Sequence, residues 1–212
     1  MRNPIRLCSG VLLAFVAGYI DTATFLRVSE LFSAHITGNF VVFAIALVHG
    51  VREVDWLKLI ALPVFFLGVS LATFLYDRTA ARIRTVLICE LALLGGAGLL
   101  ALVPQMQAHV AWLAMALVLA MAFQNAAHQL DVTLGPTSAV MTTNAAKLFV
   151  ALWRKVMSPP ADVPAVKADG IGARVLCFAA GCAVSAFATH RFGLAAVLLP
   201  AALVGLVAAA RR

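Results

Sequence analysis

Residues 33–47 read SAHITGNFVVFAIAL, and residues 138–152 read SAVMTTNAAKLFVAL. Six positions are identical: Ser33/Ser138, Ala34/Ala139, Thr37/Thr142, Asn39/Asn144, Ala46/Ala151 and Leu47/Leu152. The offset is 105 residues in a chain of 212, almost half its length. The upstream context matches loosely as well, AGYIDTATFL at 17–26 against AFQNAAHQL at 122–130. Each half therefore places a polar cluster late in a helix and then writes Thr-x-Asn. The pattern points to two repeats, residues 1–105 and 106–212, with chance likeness between two alanine-rich helices as the competing explanation.

The chain around these phrases is 63% hydrophobic and only 12% charged, with a mean hydropathy of +1.00. A soluble domain is nearer half apolar and a quarter charged, and there is too little polar surface here to cover a globule in water. The composition predicts an all-α integral membrane protein. Sixteen Lys/Arg against nine Asp/Glu leave a charge of +7, which in such a protein reads as basic cytoplasmic loops. No basic, aromatic-bearing soluble segment is present, so nucleic acid is not an expected partner. The expected partners are the lipid bilayer and a small-molecule solute, with homo-oligomerisation left open. Cys8, Cys89, Cys177 and Cys182 lie in apolar runs without metal-ligand spacing and read as small hydrophobes. No metal and no cofactor is expected. Leu7–Ile20 behind Arg2 and Arg6 has the look of a signal-peptide core, but the apolar pattern resumes beyond Asp21 with no small-residue cleavage site, so it reads as the first membrane helix.

Crossing roughly 30 Å of hydrocarbon takes about 20 helical residues. Six segments approach that length: 7–27, 57–76, 85–103, 110–130, 173–190 and 193–210. The stretches carrying the repeated phrase, 37–50 and 140–153, would reach only about 21 Å as helices. If they enter the bilayer and return as half-helices, six segments cross. The Lys/Arg tally is then eleven on the N-terminal side against Arg27, Arg52, Lys58 and Arg191 on the other, with Lys147 inside the membrane. If all eight cross, the tally is ten against Arg27, Arg78, Arg82, Arg84 and Arg191. The first arrangement obeys the positive-inside rule slightly better. It also puts an odd number of crossings in each half, so the halves would be inverted repeats, a plan shared by many transporters.

In hydrocarbon, an unpaired backbone group costs several kcal/mol, so a broken helix needs protein or a wet cavity to receive its ends. Half-helices starting near Thr37 and Thr142 would expose first-turn amides that Thr and Asn side chains can cap. Thr37, Asn39, Thr142 and Asn144 are therefore candidate solute-binding residues at a shared mid-membrane pinch, against a purely interhelical hydrogen-bonding role. Asp21, well inside the first helix, is expensive there unless paired or wet, and it joins the candidate set. Gln124 and Asn125 occupy the matching place in the second half, beside His128, which reads first as a packing residue. Glu90 and Lys147 share an expected depth and are predicted to form a structural ion pair. Gly68, Gly95, Gly96 and Gly98 read as close-packing positions, and Trp56, Trp112 and Trp153 as an interfacial belt. The Pro-rich segment 158–170 reads as a cytoplasmic loop.

Together GYIDTATFL at 18–26, AHITGNFV at 34–41 and MAFQNAA at 121–127 resemble the YoaK-like family of small bacterial inner-membrane proteins, a domain of unknown function. The resemblance extends over essentially the whole chain. It implies a bacterial cytoplasmic membrane location and about six spans, and it supplies no substrate. The second phrase departs from the pattern, with Thr143 where Gly38 stands in the first, which argues against a symmetric site.

The function expected from these features is a transporter or channel for a small solute. A membrane-embedded enzyme is the alternative, although no H-E-x-x-H, G-x-S-x-G, P-loop or dinucleotide fingerprint is present. An accessory membrane subunit is a third reading, in which the polar residues only bind neighbours.

Overall fold

A computed structural model describes residues 4–138, 141–157, 168 and 170–211. Most of the expected loop at 158–170 lies outside the described residues. Eight helices follow one another: α1 (Pro4–Arg27), α2 (Gly38–His49), α3 (Trp56–Arg78), α4 (Arg82–Leu100), α5 (Val110–Leu130), α6 (Met141–Met157), α7 (Ile171–Phe192) and α8 (Leu198–Ala209). Short 3-10 turns occupy Glu53–Asp55, Pro104–His109, Val132–Leu134 and Gly193–Val197. Among the described residues there is no strand.

Five segments are long and apolar enough to cross a membrane: Ser9–Arg27, Glu53–Arg78, Arg82–Leu100, Val110–Leu130 and Ile171–Ala209. The last is 39 residues long, about twice what one crossing needs. It breaks at Gly193, whose φ of 61° is open to glycine and disfavoured for other residues. The expected span 193–210 is thus a 3-10 turn followed by a 12-residue helix. Trp112, Phe187 and Phe66 expose 75%, 80% and 59% of their surfaces. An apolar coat of this kind is unstable against water and natural against lipid.

Glycine decides how the long helices meet. Gly18 of α1 lies against the carbonyl of Phe178, and Gly181 of α7 against that of Phe15. A Cβ on either would collide with backbone, so the two helices pack at a separation that only glycine permits. They run in the same direction: Gly10 meets Arg174 at one end and Gly193 meets Arg27 at the other. The Tyr19 hydroxyl donates to the Ala196 carbonyl (2.9 Å), and the Ser185 hydroxyl to the Tyr19 carbonyl (2.7 Å), fastening α1 to α7 and to the turn that follows. Gly68 of α3 packs on Leu119 and Ala122 of α5, and Gly98 of α4 on Leu198 of α8. Gly95 and Gly96, expected to pack, face open space.

α5 runs against α1. The Gln124 amide reaches the Leu13 carbonyl (2.9 Å), and the Leu134 carbonyl, beyond the end of α5, lies against Gly10 near the start of α1. α4 and α8 also oppose each other, with Gly98 beside Leu198 and Gly205 beside Leu91. At the end of the bundle where α1 begins, Arg211 donates to Asp131 (2.9 Å) and to Thr133 (2.7 Å), tying the exit of α8 to that of α5. The contacts come in matched sets. α1 packs on α7 as α5 packs on α3, α4 on α5 as α8 on α1, and α2 on α3 as α6 on α7.

α6 differs from its expected form. It is a 17-residue helix, with Lys147, Arg154 and Lys155 on one side and exposed Phe149, Leu152, Trp153 and Val156 on the other, an amphipathic pattern. α2 has 12 residues and is apolar nearly throughout.

Candidate functional site

Asp21 lies six residues before the end of α1, roughly 9 Å in from it. Its side chain is buried and holds the tip of the chain that follows. Oδ1 accepts from the backbone N–H groups of Ser33 (2.8 Å) and Ala34 (2.6 Å). Oδ2 accepts from the His35 N–H (3.3 Å) and pairs with His35 Nδ1. The Ser33 hydroxyl adds a bond to Thr24 Oγ1 (3.1 Å). Asn39, at the start of α2, brackets Phe32: its Oδ1 accepts from the Phe32 N–H (2.8 Å) and its Nδ2 donates to the Phe32 carbonyl (2.9 Å).

The second half repeats this plan with different chemistry. Asn144 Nδ2 donates to the Thr137 carbonyl (3.0 Å), the counterpart of the bond from Asn39 to Phe32 at the same seven-residue separation. Gln124, six residues before the end of α5, donates to Ser138 Oγ (2.9 Å). The Thr137 hydroxyl donates to Asn125 Oδ1 (3.1 Å). At the first tip an acid and an imidazole join the amide and hydroxyls, whereas among the described residues amides and hydroxyls alone hold the second.

Of the expected binding residues, Asp21 and Asn39 come together at one tip, and Gln124, Asn125 and Asn144 at the other. The tips meet α1 at different levels. Gln124 bonds Leu13, eight residues and about 12 Å along the helix from Asp21. Thr37 and Thr142 are exposed, and the Thr37 side chain makes no capping bond. The reason is visible in the backbone. The first amides of α2 already donate to preceding carbonyls, Gly38 to His35 (2.9 Å), Asn39 to Ile36 (3.2 Å) and Phe40 to Thr37 (3.2 Å). No free amide end is left there to attract an anion.

Glu90 and Lys147 do not pair. Glu90 is fully buried on α4, and neither of its carboxyl oxygens has a hydrogen-bond partner. Lys147 is exposed on α6. An expected common depth was the whole of the sequence argument, and it does not by itself bring two side chains together. Cys89, Cys177 and Cys182 are free and partly buried.

Beside the first tip opens a pocket of about 390 Å³, lined by Asp21, Thr22, Phe25, Leu26, Phe32, His35, Phe178 and Cys182. Phe25 and Phe32 rings stand 5.0 Å apart, and the His35 ring meets Phe178 edge-on at 5.4 Å. His35 belongs to the connection between α1 and α2, outside the spanning helices. Burial lowers its basicity, but the hydrogen bond and charge of Asp21 outweigh this and hold its pKa above the ordinary histidine value. Sequence reading missed His35 and Phe178. Their partner Asp21 stands fourteen residues from His35, and Phe178 arrives from the other half.

A third polar cluster holds the connection from α5 to α6. The guanidinium of buried Arg174 lies against Gly10 and Gly135 and donates to the Pro136 carbonyl (3.4 Å), and His128 Nδ1 contacts the Gly135 carbonyl (3.3 Å). These bonds brace one end of the bundle.

The family described as a protein of unknown function (DUF1275) matches residues 9–210, nearly the whole chain. No curated protein and no solved structure matches the chain.

Proposed function

We propose that this chain, which belongs to the DUF1275 family, is a transporter or channel for a small solute, built from two inverted repeats with six crossings and two re-entrant arms. One observation carries the reading. Both short helices start at a tip tied to the interior of a long helix, Asp21 in the first half and Gln124 in the second, and not at an end of the bundle. The opposed directions of α1 and α5 support the inversion, because equivalent helices of parallel repeats would point the same way. The matched helix pairings support a two-fold relation between halves. Broken elements at membrane depth are tolerated where protein or a water-filled cavity receives them, and they recur at the sites of transporters. Likeness to the YoaK-like family supports a bacterial cytoplasmic membrane location.

The test uses purified protein in vesicles loaded with a panel of small organic cations, anions and neutral solutes, with efflux read by mass spectrometry. The account expects efflux of at least one class, lost in Asp21→Asn and reduced in Asn39→Ala. Vesicles that retain every solute would overturn it.

A further inference from the structure

We propose that the pocket beside Asp21 binds a small organic cation, and that the cation enters in exchange for the proton carried by His35. The Asp21 carboxylate has four donors around it, and they are not alike. Three are backbone amides of residues 33–35, fixed in the loop. They contribute dipoles and leave the net charge in place. The fourth is the His35 imidazole, a side chain that is 29% exposed and joined to the loop through rotatable χ bonds. Among the described residues it is the one group on the carboxylate that can carry a positive charge, and the one partner that is not backbone. The titratable groups that line the pocket with it are Asp21 from α1 and Cys182 from α7.

The remainder of the wall suits the occupant that would replace it. Phe25, Phe32 and Phe178 present three aromatic rings around the same space, and aromatic faces attract cations whose hydration has been stripped away. A volume near 390 Å³ falls within the range of small-molecule sites, which span about 300–1,000 Å³. Anions are disfavoured twice over, by the carboxylate and by the lack of unclaimed amides at the start of α2. His35 already stands as such a ligand would, one nitrogen on Oδ2 and its ring against Phe178. The charge balance of the exchange is simple. The ligand brings one positive charge; imidazolium, its pKa relaxing on leaving Asp21, gives up its Nδ1 proton to water at a pH above the ordinary histidine value, and the pocket keeps the same net charge. This inference deepens the transport reading and rests on it for movement across the membrane, though not for binding.

The test is calorimetric titration of the purified full chain with benzyltrimethylammonium, alongside benzyl alcohol and benzoate as neutral and anionic shapes. Buffers of different ionisation enthalpy report the protons released. The expected result is binding of the cation alone, with proton release confined to the pH window between the ordinary histidine value of about 6.5 and the raised value held by Asp21, and a loss of about tenfold or more in affinity in Asp21→Asn. Phe178→Leu, which keeps the wall apolar and the loop ties intact, should weaken the cation several-fold and serves if Asp21→Asn fails to fold. In His35→Gln, proton release should vanish and the affinity should cease to vary with pH. Equal binding of benzyl alcohol, an unchanged affinity in Asp21→Asn or Phe178→Leu, or no binding of the cation would each overturn the proposal. If cation binding fails while the vesicles still release another solute, the ligand class falls and transport stands. If the cation binds and no solute is released, transport falls and the site stands.

Discussion

Asn39 and Asn144 sit at equivalent places in the two halves, but they do not hold their loops equally. Asn39 makes two bonds to the Phe32 backbone, whereas Asn144 makes one to the Thr137 carbonyl and a long one to the Met141 sulfur (3.9 Å). Removing a partner from a buried polar group costs roughly 1–3 kcal/mol. We therefore expect Asn39→Ala to lower thermal stability in detergent more than Asn144→Ala. Glu90 makes the opposite case. A broken buried ion pair costs roughly 3–5 kcal/mol, and Glu90 has no such pair, so Lys147→Ala should leave the melting temperature unchanged, and a drop of that size would reinstate the pair. At His35 the sign of the pH effect follows from the raised pKa. A group raised on folding contributes fully below its unfolded pKa and loses that contribution as pH rises through the folded value. The tie from His35 to Asp21 should therefore be firm in mild acid and loosen toward alkaline pH. Histidine-selective NMR should show one ring titrating above the ordinary value of about 6.5, and Asp21→Asn should bring it down.

The helices themselves were largely legible, because apolar runs of crossing length stand out from charged turns. α1 and α5 fall close to where hydropathy puts them, and α2 differs from the expected 37–50 by a residue at each end. α6 was read too narrowly. The expected segment 140–153 stopped short of Arg154 and Lys155, and the basic residues at 147, 154 and 155, spaced to share one side, were the unused sign that the helix runs on to Met157 with an amphipathic pattern. The Thr-x-Asn phrase pointed to Asn39 and Asn144, and each donates through Nδ2 to a carbonyl seven residues before it, although only Asn39 also accepts from that residue's amide. It misled about Thr37, because a leading turn of backbone hydrogen bonds made side-chain capping unnecessary. Glycine roles were mixed for a related reason: spacing announces small residues, but only the neighbouring helix decides which are crowded. Gly181→Ala should separate α1 from α7 and lower the yield of folded protein. Gly95→Ala and Gly96→Ala meet open space and should be neutral or gain up to about 1 kcal/mol each from helix propensity. Thermal melts of the three variants check the contrast.

At the scale of the molecule, the account depends on which way each half enters the bilayer. Composition pointed to a membrane protein, and the repeated phrase suggested two halves, but periodicity carries no direction. Direction comes from contacts between distant residues such as Leu13 with Gln124, Gly10 with Leu134, and Asp131 with Arg211. These put the end of α5 beside the beginning of α1 and support arms that enter and leave on one side. The most direct measurement is the labelling of single cysteines at positions 54, 80 and 106 by a membrane-impermeant reagent, with a tag at the C-terminus as reference. The account predicts that position 80 shares the side of the tag, and that positions 54 and 106 label from the opposite side. Position 80 labelling opposite the tag, with 54 and 106 on the tag's side, would mean that both arms pass fully through the bilayer, and it would contradict the inverted arrangement.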